Sequence, residues 1–388
     1  MRKEKIPFTL GDIIELEVNS LSYDGGRGVG RYQGFVVFVA QSAPGDLLRV
    51  KISEIKSTYS VAQLLSVVKP SPVRRSPPCP VVGECGGCPW QIVEYSEQLK
   101  QKKLLLAHAL KKCLSQELLS RIEVVPAPEE YRYRNRVQVH VSGQQYGFFA
   151  INSRRLVPVS DCMIAHENIF KNLDSEIQKL KQQADMFKVE VAVDTEGIRT
   201  VRDLRSRSSE FTQVNFSVNQ MMVDYVVNQV AKSKSKFSYI YDLYCGDGNI
   251  ARPLSKVDIA SKIIGVELNR EAIERAKDLN SEKNGVLQRC EFVSSDVADY
   301  LRKLEVKGSM AAIVDPPRAG LSHSVIKDLL RLKPQLMVYI SCNLMTLARD
   351  LSKLTTSIYK ISEMKAFDMF PQTEFVETVV TLESKQTF

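Results

Sequence analysis

Tyr239-Ile240-Tyr241-Asp242-Leu243-Tyr244-Cys245-Gly246-Asp247-Gly248-Asn249 is the stretch that decides the fold. A run suited to a strand ends in two glycines one residue apart, and a helix-compatible sequence follows. Glycine permits a tight turn and lets the backbone approach a bound molecule closely. The spacing by itself also suits a routine strand–helix turn. The residues on either side make the difference. Apolar strands are expected at 239–243, 262–266, 311–314 and 336–340, with helices near 217–232, 270–284, 322–332 and 344–354. Residues 211–388 therefore read as a Rossmann-like α/β domain with an open, mostly parallel sheet.

The same region carries a nucleotide-type site. Ile263-Ile264-Gly265-Val266-Glu267 ends the next strand on a carboxylate that can accept both hydroxyls of a ribose. Asp296, after Phe292-Val293, offers an acceptor for an adenine. The third glycine of a dinucleotide fingerprint is missing, so the pattern suits a single nucleoside such as S-adenosylmethionine. Gln213, Tyr244, Gly246, Glu267, Asp296 and Asp315 are the expected cofactor residues.

Two further strand edges open onto the same crevice. Asp315-Pro316-Pro317-Arg318 follows Ala311-Ala312-Ile313-Val314, and its double proline sets a rigid turn that aims Asp315 inward, or else merely caps a helix. Ser341-Cys342-Asn343 follows Met337-Val338-Tyr339-Ile340. A cysteine just before a helix is expected to gain thiolate character and serve as a nucleophile, the alternative being a buried structural thiol. Glu377, where the strand from Val376 begins, is the expected general base, with Glu374 as its rival.

Of the eight cysteines, Cys79, Cys85, Cys88 and Cys162 have ligand-like spacing, and Cys113, Cys245 and Cys290 are expected to pack. No secretion signal supports a disulfide framework. Four thiolates suit zinc or an iron–sulfur cluster, and spacing does not choose between them.

Residues 1–70 read as an OB-like barrel of about five strands, with Gly25-Gly26-Arg27-Gly28-Val29-Gly30 as a loop. Such a barrel can bind RNA or serve only as a spacer. A proline-rich linker with Arg74-Arg75 is expected to be extended. It opens a mixed α+β central domain over 71–210, with a helix at 91–115 bearing lysines on its outer face, strands over 121–160, a helix at 166–184 and strands at 188–205. In Tyr131-Arg132-Tyr133-Arg134-Asn135-Arg136 a strand would set the arginines on one face and the tyrosines on the other. Arg27, Arg132, Arg134 and Arg136 are the RNA-contact candidates. The net charge of +8 favours a polyanionic partner, and no apolar run of membrane-spanning length is present, so a cytoplasmic protein is expected.

From Asp24–Gly30 through Pro371–Glu377 the chain resembles the S-adenosylmethionine-dependent RNA uracil-5-methyltransferases, specifically the 23S rRNA branch with an N-terminal TRAM domain. The resemblance implies Cys342 as nucleophile, Glu377 as base, Asp315 beside the target uracil and Gly246 and Glu267 on the cofactor. It also implies a [4Fe–4S] cluster on the four spaced cysteines, and a role for Gln213 within Phe211-Thr212-Gln213-Val214-Asn215. The family usually has proline where Leu344 stands, and often histidines in the stretch containing Gln372 and Phe375. Because tRNA-directed relatives commonly lack the barrel, 23S rRNA or one of its assembly intermediates is the expected partner. A tRNA uracil-5-methyltransferase is the alternative, and a non-catalytic iron–sulfur RNA-binding protein a remote one. Cytosine-5 methylation is disfavoured, since no cysteine neighbours Asp315-Pro316-Pro317.

Overall fold

The structure is a computed structural model that describes residues 6–180, 186–205, 213–233, 236–281, 289–305 and 308–385. Five strands, β1 (Ile13–Leu21), β2 (Gly28–Tyr32), β3 (Phe35–Val39), β4 (Leu47–Ile55) and β5 (Tyr59–Lys69), close into a barrel in the order β1-β2-β3-β5-β4. Alternation drives the closure: Ile14, Leu16 and Val18 of β1 point inward with Val37, Val39, Leu48, Val50 and Ile52, leaving polar residues outside. The expected linker is not a free spacer. Arg74 pairs with the fully buried Asp46 at 2.7 Å, and Arg75 pairs with Glu130 at 3.0 Å.

Helix α1 (Tyr95–Leu110) is shorter than the expected 91–115 and is followed by α2 (Gln116–Ser120) and β6 (Val124–Val125). Its lysines are not all on an outer face, because Lys102 is completely buried against Asp368. Leu106 and Leu110 pack into the C-terminal core with Leu351 and Leu354, and β6 pairs with the edge of the C-terminal sheet.

The central sheet contains β7 (Arg136–Ser142), β8 (Gln145–Phe149), β9 (Leu156–Pro158), β10 (Met186–Val193) and β11 (Arg199–Asp203), ordered β11-β10-β7-β8-β9. Leu173 and Ile177 of α3 (Leu173–Leu180) cover it. Residues 181–184 of the longer expected helix lie outside the described residues. The basic-aromatic run is not a regular strand: β7 starts only at Arg136, and Arg132 has φ of +58°, which breaks the alternation.

The C-terminal region begins with α4 (Phe216–Ala231) and continues through β12 (Phe237–Leu243), α5 (Ala251–Ser255), β13 (Ala260–Glu267), α6 (Arg270–Ser281), β14 (Cys290–Ser294), α7 (Val297–Lys303), β15 (Met310–Val314), α8 (His323–Leu332), β16 (Leu336–Ser341), α9 (Leu344–Thr355), β17 (Tyr359–Phe367) and β18 (Glu377–Ser384). The sheet order is β14-β13-β12-β15-β16-β18-β17-β6. β12 to β16 are parallel, whereas β18 runs antiparallel between β16 and β17. Helices cover both faces, so β15 and β16 are buried at every residue, as continuous apolar runs require. The strand order reverses between β12 and β15, which opens a crevice at their carboxyl ends. No described helix is long and apolar enough to cross a membrane.

Candidate active site at the sheet crevice

One wall of the crevice is the turn after β12. Tyr244 and Gly246 take left-handed φ of +65° and +55°, and a Cβ on Gly246 would meet nothing within 4 Å. The space over this turn is open. Below it the packing is tight: a Cβ on Gly248 would stand 2.8 Å from the Phe292 ring. The Glu267 carboxylate closes the wall, accepting from the Gly246 N–H at 3.3 Å and from the Asn269 N–H at 2.8 Å. Tyr244 lies beside Asp296 and Glu267, and burial followed by those charges pushes its hydroxyl up to about 12. Asp296 also has a local task, since its side chain caps α7 by accepting from Ala298 and Asp299.

The other wall is built from three strand ends. Asp315 leaves β15, with its N–H donating to the Leu243 carbonyl at 3.3 Å. Cys342 leaves β16 and Glu377 begins β18. The antiparallel register pairs Ser341 with Thr378, so continuing it by one residue sets Cys342 opposite Glu377. Glu374 shares Arg318 with this wall and also feels Lys102 and Asp24.

Electrostatics in this wall are strained toward neutrality. Burial pushes Asp315 up to about 7, and burial with the Asp315 charge pushes Glu377 up to about 8. Cys342 is raised to about 11, first by burial and then by Glu377 and Asp315, against the opposing pull of Arg318. This corrects the expectation of a lowered thiol: the helix N-terminus does not offset lost hydration beside two carboxyls. Asp242 beneath the turn is also raised, to about 8, although it accepts from the Ala251 N–H at 2.9 Å.

Gln213 stands on the segment leading into α4, where its carbonyl accepts from Asn135 at 3.0 Å and Asn215 caps the helix. Phe211 and Thr212 lie outside the described residues. The family departures have structural reasons. Gln372, fully buried at φ of +71°, ties Gln98, Arg75, Trp90 and Glu130 together. Phe375 packs beneath the Arg318 guanidinium at 4.8 Å. Leu344 is buried as the first residue of α9.

The cluster-spaced cysteines converge. Cys79, Cys85, Cys88 and Cys162 line one cavity of about 700 Å³ that also reaches Arg134, Arg136 and Arg318. Burial and neighbouring thiols push Cys85, Cys88 and Cys162 upward, and the Gly87, Ile164 and Ala165 amides face sulfur. Among the described residues no group of three or more His, Cys, Asp or Glu is arranged to hold a metal ion. The arginine candidates separate. Arg132 pairs with Asp161 at 2.6 Å and bonds the Cys162 carbonyl, so it braces the cysteine loop; Arg136 pairs with Glu190 at 3.2 Å, and Arg27 with Asp24 at 2.7 Å. Tyr133 is buried, donating to the Pro371 carbonyl, and Tyr131 accepts from Arg75. Much of the basic-aromatic run is therefore structural.

Sequence reasoning missed Lys102, Asp368 and Tyr23. Lys102 is buried on the Trp90 face with Asp368 and donates to the Phe370 carbonyl at 3.0 Å, which pins the loop leading to Glu377. Tyr23, from the barrel, reaches the Cys342 carbonyl. None of the three carries a local signal in the sequence.

Comparison with known proteins agrees with this geometry. Residues 196–385 match the family model described as tRNA (Uracil-5-)-methyltransferase, and residues 7–65 match the TRAM domain. An uncharacterised RNA methyltransferase of Bdellovibrio bacteriovorus is 34% identical, with 98% of this chain and 97% of that protein covered. A tRNA (uracil(54)-C(5))-methyltransferase of Schizosaccharomyces pombe is 29% identical over 97% of this chain and 79% of its own length. Among solved structures, the Pyrococcus abyssi tRNA (uracil-54, C5)-methyltransferase in complex with S-adenosyl-L-homocysteine is similar with a TM-score of 0.73 and 26% identity, covering 95% of this chain and 100% of that one.

Proposed function

Since this chain belongs to the S-adenosylmethionine-dependent RNA uracil-5-methyltransferases that carry a TRAM domain, we propose that its substrate is a uridine of tRNA and that methylation runs through a covalent adduct of Cys342. The single observation supporting the covalent route is the β16–β18 register, which sets Glu377 across from Cys342.

S-adenosylmethionine supplies an electrophilic methyl group and departs as S-adenosylhomocysteine. The open space over Gly246 and the acceptor at Glu267 suit its nucleoside. Carbon 5 of uracil is a weak nucleophile. Cys342 Sγ, as thiolate, forms a bond to carbon 6, and the electron pair of the ring double bond moves toward carbon 5 and oxygen 4. Carbon 5 then bonds to the methyl carbon as the methyl–sulfonium bond breaks. Glu377, in its carboxylate form, takes the proton left on carbon 5, the ring double bond re-forms, and the thiolate leaves. Arg318 favours the Cys342 thiolate, while Asp315 hydrogen-bonds the uracil edge. The base must leave its stack to enter the crevice, at a cost of a few kcal/mol. Arg134, which lines the same cavity as Arg318, is the arginine proposed to take a phosphate, and the barrel adds a second RNA-facing surface.

The tRNA assignment rests on relatives. The Schizosaccharomyces pombe and Pyrococcus abyssi relatives are named for tRNA, and the latter aligns with 95% of this chain. The barrel therefore does not favour ribosomal RNA, which removes the main reason for expecting a 23S target.

The four cysteines fit an iron–sulfur cluster better than zinc. They line one cavity, and backbone amides face the Cys85 and Cys162 sulfurs, as sulfur-rich clusters favour. Cys79, Cys85, Cys88 and Cys162 would hold the cluster and lock the linker to the central sheet; methyl transfer needs no electrons from it.

The test is incubation of anaerobically purified protein with S-adenosylmethionine and, separately, unmodified tRNA and 23S rRNA transcripts, followed by digestion and quantification of 5-methyluridine. Product in tRNA is expected. Product in rRNA alone overturns the tRNA assignment and leaves the chemistry standing.

A further inference from the structure

The end of β1 and the loop that leads to β2 are fixed to the rest of the molecule at three points. The Leu21 N–H donates to Gln101 Oε1 of α1 at 2.9 Å, and Trp90 Nε1 donates to the Gly26 carbonyl at 2.9 Å. Gly26 allows this approach, because a Cβ there would lie 2.7 Å from Pro89 and 2.8 Å from Trp90 Nε1, and its φ is +60°. The third point is the active site itself. The Tyr23 hydroxyl donates to the Cys342 carbonyl at 3.2 Å, and its own oxygen lies within hydrogen-bonding reach of the Leu344 amide at the start of α9. The Tyr23 ring meets the Phe375 ring edge-on at 6.0 Å, and Phe375 in turn lies under the Arg318 guanidinium.

We propose that Tyr23 is a positioning residue for methyl transfer: the barrel, through this hydroxyl, holds the peptide that carries Cys342 so that its Sγ faces the uracil, and holds the Phe375–Arg318 pair that flanks it. The inference rests on the covalent reading of Cys342. Its physical basis is the shape of the Ser341–Leu344 turn. Asn343 caps α9 with its side chain, bonding the Met345 and Thr346 amides, and the Ser341 hydroxyl bonds the Asn343 carbonyl. Among the described residues the Cys342 carbonyl accepts from Tyr23, a residue 319 positions away. Loss of that bond lets the Cys342 peptide rotate, and a small misplacement of a nucleophile slows its reaction without changing what binds. Tyr23 is also raised to about 12, chiefly by burial, so it stays a neutral donor throughout the working pH range.

The test uses the full chain and tRNA and 23S rRNA transcripts in which every uridine is replaced by 5-fluorouridine. Fluorine on carbon 5 leaves no proton for the base to remove, so the methylated Cys342 adduct accumulates and survives denaturing electrophoresis. Tyr23→Phe keeps the ring against Phe375 and removes only the hydroxyl. At saturating RNA it is expected to form adduct about three- to tenfold more slowly, the loss of one neutral hydrogen bond. The RNA concentration giving half-maximal rate, S-adenosylmethionine affinity and melting temperature should stay within twofold or a degree of the wild type. Tyr23→Leu, which also frees Phe375 and Arg318, should be slower still. Adduct formed equally fast by Tyr23→Phe overturns this inference alone, as does a loss confined to RNA affinity. No adduct in the wild type, with uridine methylation intact, overturns the covalent reading and this inference with it.

Discussion

Glu377→Gln should make the protein more stable at alkaline pH while stopping turnover. The Glu377 side chain is buried at 4% exposure, and its carboxyl is raised from 4.5 to about 8. In the unfolded chain it ionises near its ordinary value, so between about pH 4.5 and 8 the folded state holds a proton that the unfolded state has released. Stability from this group is therefore complete at low pH and is lost as pH rises through the folded value. At about 1.4 kcal/mol per pH unit the loss by pH 9 is roughly 5 kcal/mol. With unfolding entropy of about 2.1 cal/mol/K per residue, that is roughly 6 °C for a chain of this length unfolding as one unit. Glutamine has the same shape and no charge, so its variant should track the wild type at pH 5.5 and melt several degrees higher at pH 9. Asp315 and Asp242 are raised too and leave a residual slope in both proteins. The assay is thermal unfolding of both proteins, free of ligand, from pH 5.5 to 9. On natural RNA the variant should stall as the methylated adduct, because nothing takes the carbon-5 proton. Parallel melting curves across the whole range, or release of 5-methyluridine at the wild-type rate, would refute the reasoning.

Other expectations follow from the same geometry. The Cys342 thiol, raised to about 11, should make adduct formation with 5-fluorouridine RNA rise nearly tenfold per unit from pH 7 to 9, and Arg318→Ala should move that profile to higher pH; a flat profile contradicts both. Lys102→Met strands Asp368 in the core and should cost about 3–5 kcal/mol in denaturant unfolding, most of it recovered by adding Asp368→Leu. Additive losses in that pair would show that the two side chains do not act together. Anaerobically purified protein should carry about four irons and four sulfides per chain, lost in Cys88→Ser and Cys162→Ser, whereas one zinc per chain would overturn the cluster assignment.

The barrel and the α/β sheet were legible because both rest on local periodicity. Alternation in β1 and β3 and the unbroken apolar runs of β15 and β16 report which faces are buried, whatever surrounds them. Cys342, Asp315, Glu267 and Gly246 were legible because in an open parallel sheet the residues just past the strand ends must face the crevice. The misreadings came where a side chain answers to a distant partner. Lys102 has the sequence context of a solvent-facing lysine, yet Asp368 draws it into the core. Arg132 and Arg136, the phosphate candidates, each also form an ion pair within the chain, with Asp161 and Glu190, that no local pattern announces.

What the sequence determined by itself was the architecture and the placing of Gly246, Glu267, Asp315 and Cys342 at the crevice, since strand period, glycine turns and motif spacing are short-range properties of the chain. Only the tertiary structure decided which carboxyl faces the cysteine, because that depends on the antiparallel register of β18 against β16. It also decided the protonation of that wall, because desolvation is a property of everything packed around a charge. The same holds for Tyr23: 319 residues separate it from Cys342, and no local pattern encodes a contact closed by docking a barrel against a sheet.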